Sequence, residues 1–171
     1  MPKSLDFASL DLRDALDLAS LIEEEARERY EEFAQQMDQQ HTPEAAAFFR
    51  TMAEYEAKHG SELAARRANL FPKEPRRVTR EMLWDAEAPG YENVEAFMTP
   101  RAAMQVALAA ETKAQLFFAA AIPNVKDAEV KSLFLVLYEE ELHHQELVLS
   151  ELAKNPVRVP KRPAFPDHYK K

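Results

Sequence analysis

Apolar residues recur at three- and four-residue spacing through four long stretches of the chain, the period of a helix with one face in a core. In residues 11–39 the stripe is Leu12, Ala15, Leu16, Ala19, Ile22, Ala26, Tyr30, Phe33 and Met37. The second stretch opens on Thr42-Pro43-Glu44 and stops at Phe71-Pro72. Its start combines a hydroxyl cap, a proline in the first turn and an acid where the helix dipole favours one. Its inner positions read Ala45, Phe49, Met52, Glu56, His59, Leu63 and Leu70. Thr99-Pro100 repeats that start, and residues up to 122 place Met104, Leu108, Glu111, Gln115, Phe118 and Ile122 on one face. The last stretch, residues 127–155, turns Val130, Leu133, Val136, Leu137, Glu140, His143 and Leu147 inward. The pattern predicts an all-α, antiparallel four-helix bundle.

The connections refine this picture. Residues 71–98 hold Pro72, Pro75, Pro89 and Gly90, with room for a short helix at 79–84. Adjacent antiparallel helices usually need only ~2–8 connecting residues. So long a segment predicts a crossover along the bundle between its second and third helices, anchored by Trp84 and Tyr91. Residues 156–166 carry four prolines and cannot be helical. The expected organisation is a bundle over residues 1–155 and an irregular, basic tail over 156–171. That tail is expected to lie along the bundle, to pack on a partner subunit through Phe165 and Tyr169, or to be a disordered basic arm.

Composition narrows the function classes. A chain of 171 residues suits one domain that buries roughly 70% of its unfolded surface, and only two glycines favour helices over a sheet. The net charge of -8 argues against nucleic acid, which needs a basic face. The absence of cysteine excludes disulfides, thiolate metal sites and a thiol nucleophile. No run approaches the ~20 apolar residues of a membrane span, and the first residues lack the apolar core of a signal peptide, so a cytoplasmic protein is expected.

Candidate chemistry lies where acids interrupt the apolar stripes. Glu23 falls seven residues after Leu16 and seven before Tyr30, within the stripe, whereas Glu24 and Glu25 fit a solvated face. Glu56 and His59, and likewise Glu140 and His143, form Glu-x-x-His pairs whose members share a helical face. Glu141 and His144 make a second such pair one residue out of phase; Glu140 and His143 are preferred because Leu147 follows His143 by four, as Leu63 follows His59. Each half of the chain repeats one order, Glu23 and Tyr30 before Glu56 and His59, Glu111 and Phe118 before Glu140 and His143. Helix midpoints near residues 25, 57, 111 and 141 bring the four glutamates to one level of the bundle. Even one unpaired buried charge costs several kcal/mol, so carboxylates in a core require cations. Two divalent ions balance four carboxylates, and the oxygen and nitrogen donors favour iron or manganese.

Over roughly residues 10–154 the chain resembles the rubrerythrin family of the ferritin-like superfamily. The resemblance rests on Glu23, the run Ala26 to Ala34, Glu56-Ala57-Lys58-His59, Glu111 and Glu140-Glu141-Leu142-His143. It implies two iron ions bridged by Glu56 and Glu140 and flanked by Glu23 with His59 and Glu111 with His143. Tyr30 is implied to hydrogen-bond a ligand carboxylate. Peroxide-reducing members typically carry a further glutamate one turn from the Glu111 position, where this chain has Leu108 and Ala114. They also carry a cysteine-ligated rubredoxin domain, so the electron donor here is expected to be another molecule. The implied activity is a diiron oxidoreductase acting on peroxide or dioxygen, in a homodimer or higher oligomer. The alternatives are a ferroxidase, or a metal-binding bundle acting through a partner.

Overall fold

A computed structural model of the chain describes residues 5–83 and 99–156. A 3-10 turn at Phe7–Ser9 precedes α1 (Leu12–Gln39), α2 (Pro43–Leu70), the short α3 (Arg80–Leu83), α4 (Pro100–Ala121) and α5 (Ala128–Lys154), and no strand occurs among the described residues. Trp84, Tyr91, Phe165 and Tyr169 lie outside them.

Local chemistry accounts for the helix starts. Asp11 caps α1 by accepting from the Asp14 amide at 2.9 Å, Thr99 caps α4 from Ala102, and Asp127 caps α5 from Glu129 and Val130. Thr42 departs from expectation: its hydroxyl donates back to the Met37 carbonyl at 2.9 Å and caps no α2 amide. It thereby closes the short turn out of α1, and α2 starts on Pro43.

α1 packs on α2 and α4 on α5 as two hairpins. One apolar cluster joins the first half of α1 with Leu63 of α2, Phe118 of α4 and Val130 to Leu137 of α5. The other joins Tyr30, Phe33 and Met37 with Phe49 and Met52 of α2, Met104 of α4 and Val148 of α5. These partners fix the directions: α4 runs antiparallel to α1 and parallel to α2, as a crossover along the bundle requires. The described part of that crossover follows α1, where Arg77 bonds Asp14 at 2.9 Å and Arg80 grips both carboxylate oxygens of Glu28 at 2.8 Å.

Because the crossover covers it, the first half of α1 is buried all round from Ala15 to Glu23, not only along one stripe. Asp17 is part of that buried run, held by Arg67 at 2.9 Å. Two further expectations fail on phase. Leu70 is exposed at the last position of α2, and Val136 points outward while Phe134 is buried. On α4 five of the eight buried residues are small, Ala103, Ala107, Ala110, Ala114 and Ala121, which let the helices approach closely.

Candidate metal centre

Between the two apolar clusters lies one polar layer. Glu23 of α1, Glu56 of α2, Glu111 of α4, and Glu141 and His144 of α5 are each no more than 5% exposed. His59 joins them at 20% side-chain exposure. The imidazoles of His59 and His144 stack with centroids 5.5 Å apart and planes 9° from parallel.

Donor atoms converge in three groups, each with its ligand atoms within 4.8 Å of one another: Glu56, His59 and His144; Glu23, His59 and Glu140; Glu111, Glu141 and His144. His144 belongs to two of them. Its Nδ1 lies 3.1 Å from Glu56 Oε1 and 3.4 Å from Glu111 Oε2. Neither contact aligns as a hydrogen bond, and Glu56 Oε1, His59 Nδ1 and His144 Nδ1 are buried without a hydrogen-bond partner. Such atoms are rare in folded proteins because leaving them unmatched costs about 1–3 kcal/mol each.

Without a metal, protons take up part of the charge. Burial, then the charge of Glu111, pushes the Glu141 carboxyl well above the ordinary range, which favours its neutral form beside Glu111. Burial alone would discourage a charged imidazole at His144, but the carboxylates of Glu111 and Glu56 overcome it and raise its pKa to about 10. Glu111 is buried too, yet the close contacts of His144 and Glu141 and the hydroxyl of Tyr30 hold it below the usual value. The Tyr30 hydroxyl donates to Glu111 Oε1 from a fully buried position. No Lys or Arg of the described residues pairs with Glu56 or Glu111. A donor set rich in carboxylate, with inward-facing nitrogens, fits hard or borderline divalent metals.

Residues 14–153 match the rubrerythrin family. The chain belongs to that family. Its ferritin-like fold is shared by a solved structure of an uncharacterized conserved protein from Magnetospirillum magnetotacticum MS-1. The two are 28% identical with a TM-score of 0.73, over 89% of this chain and 100% of that one. No curated protein matches the chain significantly.

Within this rubrerythrin-family bundle the structure brings together Glu23, Glu56, His59 and Glu111 as the sequence suggests, but α5 is turned by one residue from expectation. Glu141 and His144 occupy the interior, whereas the His143 side chain is 66% exposed beside Glu146. Glu140 is intermediate, 32% exposed, with Oε2 3.9 Å from His59 Nδ1. The reason is the buried seam Leu137, Glu141, His144 and Val148, at spacings of four, three and four. Leu147, used to set the phase, is only partly buried. The signal that would have found the buried pair is Val148, which follows His144 by four.

Proposed function

We propose that this protein is a diiron oxidoreductase whose Fe(II) centre reduces hydrogen peroxide, with electrons from an external donor. The observation that supports it is the layer of four buried glutamates and two histidines, with orphaned donor atoms facing one another between two apolar clusters. In this reading Glu23 with His59 hold one ion and Glu111 with His144 the other. Glu56, grouped with His59 and His144, and Glu141, grouped with Glu111 and His144, would complete the donor set. Bound there, a pair of iron ions would supply the two electrons that, together with two protons, turn peroxide into two waters.

The chain's own residues set the conditions for that exchange. Tyr30 holds Glu111 in one orientation. Phe49, Met52 and Phe118, all fully buried, keep bulk water out along the bundle axis. Glu141 keeps a proton inside the site when no cation claims its oxygens.

Elemental analysis of protein purified from iron-supplemented cells tests the centre, with about two iron or manganese ions per chain expected. Stopped-flow mixing of the anaerobic Fe(II) form with each oxidant tests the activity, and peroxide is expected to oxidise it faster than dioxygen. Faster reaction with dioxygen and retention of ferric mineral would favour a ferroxidase. If neither oxidant outpaced its reaction with free Fe(II), both readings would fail.

A further inference from the structure

A helix turns about 100° per residue, so two Glu-x-x-His pairs one residue apart cannot both face a core. Glu141 and His144 of α5 take the interior. The displaced pair, Glu140 and His143, lines a groove of about 570 Å³ with Glu139 and Val136, and the same groove reaches His59 and His144. This opening joins solvent to the buried centre from the side, whereas apolar clusters close the bundle above and below.

The donors along the groove are graded by depth. The side chain of His143 is 66% exposed, Glu140 32%, His59 20% and His144 3%. His144 presents a buried, unmatched Nδ1 at the inner end. Glu140 links the two ends: it faces the groove, yet its carboxylate groups with Glu23 and His59 as donors to a common point. A divalent cation is strongly hydrated and enters a buried site only by exchanging its waters for ligands. Donors at successive depths allow that exchange one ligand at a time, and the paired carboxylates of Glu139 and Glu140 raise the local cation concentration.

Resting on the metal reading of the interior, we propose that Glu140, with His143 outside it, is a relay site that passes divalent cations from solvent through the α5 groove to His59 and the buried carboxylates. Glu140 is thus a transient ligand, and the interior six hold the ions at rest.

The test uses the metal-free full chain and Co(II), whose ligand-field absorbance reports filling by stopped flow and stoichiometry by titration. Glu140→Gln is expected to slow filling by about tenfold or more. His143→Gln and Val136→Trp, which removes a donor and narrows the groove, are expected to slow it several-fold. Glu32→Gln, an equal charge change on the exposed face of α1, should leave the rate alone. All variants should bind the same number of ions at saturation. The relay is overturned if Glu140→Gln fills as fast as the parent or no more slowly than Glu32→Gln. It is also overturned if Glu140→Gln loses an ion at saturation, which would make Glu140 a resident ligand. Failure of the parent itself to take up Co(II) would instead remove the buried centre, and the relay with it.

Discussion

Burial, then the charges of Glu111 and Glu56, lifts the Tyr30 phenol well above its ordinary pKa, so it remains a neutral donor to Glu111 across the physiological range. Its task is orientation, because a carboxylate with one oxygen fixed presents the other to an ion in a set direction. Tyr30→Phe keeps the ring that stacks on Phe49 and removes only that bond. Mn(II) affinity, measured by competition against a chelator, is expected to fall about 10–100-fold with helicity unchanged. The sequence shows Tyr30 on the inner stripe and hints at a ligand-orienting role through the resemblance. It cannot show that the acceptor is Glu111, 81 residues away on α4. That pairing exists only once the crossover has set α4 beside α1.

Among the elements, α1 carries the largest electrostatic commitment. Asp17 is fully buried, and Arg67 of α2 meets it at 2.9 Å while donating also to the Phe71 and Glu74 carbonyls. This one guanidinium ties α1, α2 and the first residues of the crossover together. Arg67→Met leaves Asp17, among the described residues, with only Arg76, at 3.7 Å and half-exposed, and is expected to cost about 3–5 kcal/mol in urea unfolding of the metal-free protein. Adding Asp17→Leu should recover most of that loss, since the penalty belongs to the stranded charge. The phase of α5 is an element-scale matter of another kind. Leu135, Val136 and Leu149 are about half exposed, so the helix is apolar on more than its inner side and its sequence offers two nearly equivalent stripes. Periodicity alone cannot choose between stripes one residue apart; packing against α1 and α4 does.

At the scale of the whole molecule, the carboxylate layer divides the core in two, and on the proposed metal reading bound cations would make that layer favourable to fold around. Ions held at about 100 times their dissociation constant add about 2.7 kcal/mol per site. For a chain of this size that corresponds to a melting temperature about 5–10 °C higher. Chelation should remove this increment and Mn(II) or anaerobic Fe(II) restore it, while Mg(II) should not, as it disfavours imidazole ligands. Unchanged melting on chelation, read by calorimetry, would contradict the dependence.

The sequence alone determined the number and order of the long helices and the level at which four glutamates meet. Helical periodicity, proline stops and the length of the crossover are local or nearly local properties, and they leave few ways to fold. The tertiary structure decided which face of α5 turns inward, which acids share a donor or a cation position, and that Asp17 is buried with Arg67. Those outcomes depend on rotations of about 100° and separations of a few Å between segments remote in sequence. Only the packing of the hairpins on one another fixes such quantities.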